Sequence, residues 1–419
     1  MFGFSKRNKK EAAKIEAAVN AFTPSFGDAN DFVRAYGNSE GVVIARCDGE
    51  DVVISAGNVL IINDDQDSVV NQCVVPMVDK SNLSCAIYDP DGVYQKALGD
   101  VLKKEGYELN VIDLNDEAHK SRIDLFETAN ITRNAYWTAF VLAEALKCED
   151  KYETKVAQNL FMAMMQYALS DNKKITVESL SQMFESVRAR DEWLLEKLHA
   201  CSASVDYIEE VDGANSDVLE NVFTKIESAL FVSALDKIKK PNVFTVSAHK
   251  VKSAFFIKRV PEEYRWLVTI FLFNFKITSI VCGKNKVNSL IIDASNDDWY
   301  DREVLEMIRQ GTDSLTDKCA ITVAIKGTVS SNDDEQFVVY MKSGEKSTKD
   351  YVYNWLTVRN QLTRDEKDKV SIQFFDVKPI PENVLNSAPI TRKELDKIGD
   401  CIVIDVSKKV KAFRCERLN

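Results

Sequence analysis

The 419-residue sequence predicts an α/β protein with a mainly parallel sheet, interrupted by an inserted all-α domain. Two observations predict it. Short apolar, β-branched runs alternate with helical patterns before about residue 125 and again after Lys239-Lys240-Pro241, the signature of strands joined by crossover helices. Between them, Phe126 to Leu235 shows apolar residues at helical spacing and almost no strand signal. The implied division is a helical N-terminal extension (1–40), a first α/β part (41–125), an all-α domain (126–240) and a second α/β part (241–419).

The elements follow in order. MFGFSKRNKKEAAKIEAAVNAF sets Phe2 and Phe4 beside Lys6, Arg7, Lys9 and Lys10 ahead of a helix-compatible run. It reads as the solvated end of an exposed helix, and the alternative for such a composition is an anchor lying on a membrane surface. GVVIARCDGEDVVIS is a hairpin, because two alternating runs flank Asp48-Gly49. Next come the strand Val59 to Ile62, a loop, a helix over Asn71 to Val78, the strand Ser84 to Tyr88, the helix Tyr94 to Glu105 stopped by Gly106, and the strand Leu109 to Ile112. The helical block holds AYWTAFVLAEALK, TKVAQNLFMAMMQYAL, TVESLSQMFESV and DEWLLEKLHAC, whose Trp137, Phe140, Phe161, Met164 and Met165 read as helix-packing core. Thereafter SAFFIKRV, NSLIIDAS, CAITVAIKG, QFVVYM, SIQFFDV and CIVIDV read as strands. YRWLVTIFLFNF, DREVLEMIRQG and TKDYVYNWLTV read as helices.

Composition narrows the function. Hydrophobic residues make up 45% of the chain, enough for a sizeable core. The 54 Lys and Arg against 65 Asp and Glu give a net charge of −11, which argues against DNA binding by broad phosphate neutralisation and leaves room only for local basic patches. Nine scattered cysteines never form C-x-x-C spacing, which suits reduced thiols, and with His119, His199 and His249 they complete no zinc set. The most apolar stretch, Trp266 to Phe275, is about half of the ~20 residues that span a bilayer, so a soluble, cytoplasmic chain is expected, peripheral to the membrane at most.

The order of these pieces resembles the cytosolic part of the TraG-like coupling proteins of type IV secretion, hexameric ATPases that drive DNA through conjugation machines. In that family a strand, a G-x-x-x-x-G-K-[ST] loop and a helix ending in proline form one unit, and Asn58 to Pro76 (NVLIINDDQDSVVNQCVVP) aligns with it without a gap. AIYDPDGVYQKALGDVLKKEGYELNVIDL follows where the family has a strand ending in D-P-K-G-E, a helix and a G-Y-x-V strand. MKSGEKSTKDYVYNWL and PITRKELDKIGDCIVIDVSKKVKAF resemble later segments, so the likeness covers roughly 41–415. It implies a RecA-like P-loop NTPase fold, an all-α domain that receives secretion substrates, and assembly into a ring.

The chemistry of such an enzyme is missing from the residues. Glycines let backbone N–H groups curl around phosphates, a lysine reaches the β- and γ-phosphates, and a hydroxyl holds Mg²⁺. Under the alignment Asn63 and Ser68 stand for the glycines, Val69 for the lysine and Val70 for the hydroxyl, while Asp64, Asp65 and Asp67 occupy the turn. At ~4 Å and an effective dielectric of ~20, each carboxylate facing a phosphate costs on the order of 4 kcal/mol before screening. In LIIDAS, Asp293 matches the Mg²⁺-supporting acid, but Ala294 replaces the glutamate base, and a methyl group accepts no proton. Lys326 replaces the glutamine presented to the γ-phosphate, and Asp89-Pro90-Asp91-Gly92-Val93 departs from D-P-K-G-E.

The sequence therefore predicts a pseudo-ATPase with no catalytic residues, no bound cofactor and no metal, acting as a binding, adaptor or ring-assembly subunit in conjugative transfer. Its expected partners are an active coupling ATPase, a relaxase or other secretion components. Three readings compete: an active DNA-translocating ATPase with a non-standard phosphate loop, nucleotide binding through substitute contacts, and a stand-alone structural or regulatory protein. Asn63, Asp65 and Asp67 share the i, i+2, i+4 spacing of calcium-loop ligands, yet Ser68 stands for the turn glycine and Val74 for the bidentate glutamate, so a solvated acidic loop is the better reading. His249 with Lys250 and Lys252 reads as a surface basic cluster. Asn296 to Asp301 reads as a helix cap and turn whose Trp299 and Tyr300 could dock a partner. Cys319 and Ser295 lack His or Asp partners nearby in sequence for nucleophilic catalysis.

Overall fold

The computed structural model describes residues 25–36, 41–55, 57–81, 83–113, 122–123, 126–228, 243–244, 252–259, 268–272, 274–275, 288–294, 320–329, 336–361, 386–407 and 409–418. The N-terminal helix, DREVLEMIRQG, SIQFFDV, His249, Ser295, Trp299, Tyr300 and Cys319 lie outside them.

After α1 (Ala29–Tyr36), the hairpin forms as expected from β1 (Val42–Cys47) and β2 (Glu50–Ile54). Its two turn residues, Asp48 and Gly49, both have positive φ (51° and 83°), the twist a two-residue hairpin turn requires. The next strand, β3 (Gly57–Asn63), leads into α2, a continuous helical run of Gln66–Val69, a π turn Val70–Val74 and Val75–Ser81. The π turn has a local cause. Pro76 cannot donate to the carbonyl four residues back and crowds it, so the backbone before it widens, and the Val75 N–H bonds to the Val70 carbonyl.

Then come β4 (Ser84–Tyr88), α3 (Val93–Lys104), β5 (Glu108–Ile112) and the short β6 (Arg122–Ile123). Gly106, at φ 81°, ends α3, with its N–H on Lys103 O (3.1 Å) and that of Tyr107 on Leu102 O (2.9 Å), a double closure of the last turn.

The helical block follows: α4 (Glu127–Thr132), α5 (Tyr136–Ala145), α6 (Lys151–Ser170), α7 (Val177–Arg188), α8 (Glu192–Ala200), α9 (Val205–Asp212) and α10 (Ser216–Ile226). Its starts are set by short polar caps: Asp150, Thr176, Asp191 and Asn215 each accept a backbone N–H from the first turn that follows. The rest of the chain holds β7 (Val243–Phe244), β8 (Ser253–Ile257), β9 (Asn288–Ala294), β10 (Ala320–Lys326), β11 (Phe337–Lys342), α11 (Lys346–Trp355), α12 (Val358–Gln361), α13 (Arg392–Leu395), β12 (Cys401–Asp405) and β13 (Phe413–Cys415).

A mostly parallel, nine-stranded sheet defines the α/β class. By packing, the chain divides into two compact units: 1–83 with 291–298 and 321–419, and 84–290 with 299–320. The first contains the strand order β13-β12-β11-β3-β10-β9. Its β3 lies parallel to both β10 and β11, and Val59, Leu60, Ile61 and Ile62 are fully buried, as a central parallel strand must be. β12 pairs antiparallel with both β11 and the edge strand β13, and Phe32 of α1 packs on Phe337 and Phe413.

In the second unit β4, β8 and β5 pair in parallel. Around α6 pack α5, α9 and α10. Phe161, Met164 and Met165 are fully buried there, as the stripe predicts, while Trp137 and Phe140 are half-buried and meet edge to face. Among the described residues no helix is long and apolar enough to cross a membrane.

Candidate functional site

All of the sequence-predicted site residues belong to the first unit. Three of its strands deliver them. Asn63 ends β3; Lys326 ends β10, one register step away, opposite Ile62; Asp293 and Ala294 end β9, the next strand in the sheet. Asp293 is buried and lies close enough to α2 that its carboxylate, after burial itself, pushes the Cys73 thiol up.

The loop differs from the sequence reading in one respect. The helix after β3 starts at Gln66, not near Asn71, so only Asp64 and Asp65 remain between strand and helix. Asp67 is thus not part of the turn: it sits in the first helical turn, where a carboxylate complements the helix dipole. The cause is Asp65, which acts as the helix cap. Its Oδ1 accepts the Ser68 N–H (3.3 Å) and its carbonyl accepts the Val69 N–H (2.8 Å). The periodic apolar pattern begins only at Val69, which is why periodicity alone places the start too late.

Several polar groups of this loop are engaged within the protein. The Asp65 N–H goes to Asn63 Oδ1 (3.1 Å), and Asn63 Nδ2 donates to Ser68 Oγ (3.2 Å), which donates in turn to Gln72 Oε1 (3.0 Å). Asp64 accepts the Gly344 N–H, and Asp65 Oδ2 meets Lys342 Nζ at 3.4 Å. The Ser68 amide and Lys342 hold the Asp65 carboxyl below the usual carboxylate range. Val69 and Val70, at the alignment positions of the phosphate-binding lysine and the Mg²⁺ hydroxyl, are buried in the core, 0% and 8% exposed. A residue that has become core in this way is not aimed at a ligand.

Arg417, which sequence reasoning missed, completes the cluster. Its Nε donates to Asp400 O (3.2 Å), Nη1 to Gln72 Oε1 (3.1 Å) and Ser68 Oγ (3.5 Å), and Nη2 to Met341 O (2.8 Å) and Ile398 O (3.4 Å). One planar guanidinium thereby ties the start of α2 to the end of β11 and to the turn before β12. Lys342 and Gly344 were also missed; they fall in MKSGEK, a segment notable in sequence only for its likeness to a later part of the family.

A nucleoside triphosphate with Mg²⁺ does not fit these residues. The Asp65 and Ser68 amides bond to the Asn63 and Asp65 side chains, the Val69 amide closes the first helical turn, and the lysine and hydroxyl positions are apolar and buried. Asp64 and Asp65 stand at the mouth of the loop. Among the described residues no group of three or more His, Cys, Asp or Glu side chains is placed to hold a metal ion.

No protein-family model and no curated protein sequence matches the chain. Solved structures do. The plasmid coupling protein TrwB in complex with ADP and Mg²⁺ is similar with a TM-score of 0.56 at 14% identity, over 93% of this chain and 92% of that one. The bacterial conjugative coupling protein TrwBdeltaN70 is similar in its unbound monoclinic form (TM-score 0.53, 12% identity, 94% of this chain and 93% of that one). Its trigonal form in complex with sulphate gives a TM-score of 0.53 at 13% identity, with the same coverage of 94% and 93%. The chain therefore has the α/β fold of the conjugative coupling protein TrwB, the fold that the resemblance in sequence implies.

Proposed function

We propose that this chain is a catalytically inactive relative of the type IV secretion coupling ATPases, a degenerate TraG-like protein that works by binding: as an adaptor for secretion cargo, or as an interface-supplying subunit beside an active coupling ATPase. A cytoplasmic location follows from that role. The observation that carries the proposal is the strand-to-helix connection of two residues, both aspartates, in which the Asp65 amide bonds to the Asn63 side chain and the Asp65 carboxylate takes the Ser68 amide. TrwB is similar over nearly the whole chain and forms a complex with ADP and Mg²⁺. In this chain the residues at the matching sequence positions cannot repeat that chemistry. Ala294 offers no base, and Lys326 puts a cation where a neutral amide is expected.

The test is a calorimetric titration of the full chain with Mg·ATP, followed by phosphate release with and without single-stranded DNA. No binding tighter than about 1 mM and no phosphate above the protein-free rate are expected. Micromolar binding with turnover would make it an active enzyme with an unorthodox loop. The adaptor role is tested separately by co-purifying the tagged chain with the coupling ATPase and the relaxase of its own conjugative element; recovery of neither sinks it.

A further inference from the structure

Three cysteines lie side by side across three adjacent strands, away from the loop. Cys415 in β13 pairs with Cys401 in β12. On its other side β13 meets β1 through a single antiparallel bridge, Arg46 with Glu416, in which both N–H groups donate across (3.1 and 2.7 Å). Because Arg46 and Glu416 exchange both hydrogen bonds, the next pair along, Cys47 with Cys415, is a non-hydrogen-bonded pair. In such a pair the Cα atoms stand about 4.5 Å apart and the side chains are closer than in the alternate pairs. That separation lies inside the ~4.4–6.8 Å range of disulfides. The Cys47 Sγ lies over the β13 backbone, 3.9 Å from the Arg414 carbonyl, and each of the two thiols shifts the titration of the other. Cys415, by the same alternation, turns its backbone groups toward Cys401, making that the wider, hydrogen-bonded pair. The Cys401 Sγ accordingly points at the Cys415 and Glu416 carbonyls (3.4 and 3.6 Å).

We propose that Cys47 and Cys415 are a modification site, closing to a cross-strand disulfide when the chain meets a low-molecular-weight disulfide, and so locking the C-terminal segment to the first hairpin. Cys47, the half-exposed member, attacks one sulfur of the oxidant RS–SR, giving Cys47–S–SR and releasing RS⁻. Cys415 then attacks the Cys47 sulfur and expels the second RS⁻. The two protons leave with the two RS⁻, so two protein thiols are oxidised and one small disulfide is reduced to two thiols. Burial raises both thiols, which keeps them protonated and makes the step slow, a response to sustained rather than brief oxidation. The latch acts two residues from Arg417, whose guanidinium holds the start of α2.

The experiment equilibrates the folded full chain with oxidised glutathione, blocks remaining thiols with iodoacetamide and maps the non-reduced peptides by mass spectrometry. A Cys47–Cys415 peptide is expected, retained in Cys401→Ser and absent from Cys47→Ser. Amide exchange over 413–416 should slow about tenfold on oxidation. A Cys401–Cys415 peptide in its place, glutathione left on Cys47 alone, or a fully alkylated Cys47 would each overturn the proposal, and the wild-type chain alone suffices to show them.

Discussion

Replacing Asp65 with alanine removes the acceptor for the Ser68 N–H at the start of α2, and such a lost cap costs about 1 kcal/mol, read as a lower denaturant midpoint. Asp65→Asn keeps an acceptor and should cost less. The pH dependence has a definite sign. Asp65 is held below its unfolded value, so its charged form contributes stability above that value and loses it as pH falls through the lower folded one. The gap between the wild type and Asp65→Asn should therefore be constant near neutrality and shrink below about pH 3.9. Arg417→Ala strips donors from the carbonyls of Met341, Ile398 and Asp400, which should cost about 1–3 kcal/mol in chemical unfolding. The side chains that engage the loop were not legible in the sequence because they are remote: Lys342 lies 277 residues from Asp65, and Arg417 lies 349 residues from Ser68. No local pattern announces a contact across that span.

Elements were far more legible. The hairpin, β3, β4, β8, β10, β11 and β12 were visible because a strand buried on both faces is a run of Val, Ile, Phe and Leu, and α6 because its apolar stripe lasts 20 residues. What blurred was the start of α2, where a cap made by a side chain overrode the apolar period, and α13, a single turn (Arg392–Leu395) too short to show a period and held by a Thr391–Glu394 capping box. Two outcomes belong to this scale. Phe161→Ala opens the centre of α6 and should cost about 3–5 kcal/mol, followed by helical circular dichroism in urea. Writing the phosphate-loop letters back in, by Asn63→Gly, Ser68→Gly, Val69→Lys and Val70→Ser together, should not restore nucleotide binding by calorimetry. The new lysine would enter the core position of Val69 and destabilise the fold by more than about 2 kcal/mol.

For the whole molecule, the net charge of −11 bears on partners more than on fold. Single-stranded DNA should bind no more tightly than about 10⁻⁴ M at physiological salt, measured by fluorescence anisotropy, because few phosphates can be neutralised. The α2 start has a further consequence at this scale. The stretch of main chain that other proteins of its type could fold into a bowl is here wound into a spiral, and the same peptide groups cannot do both. Regaining a ligand there means melting a turn before any atom of the ligand is touched, so the shape of the backbone as well as its letters weighs against phosphate at this strand end.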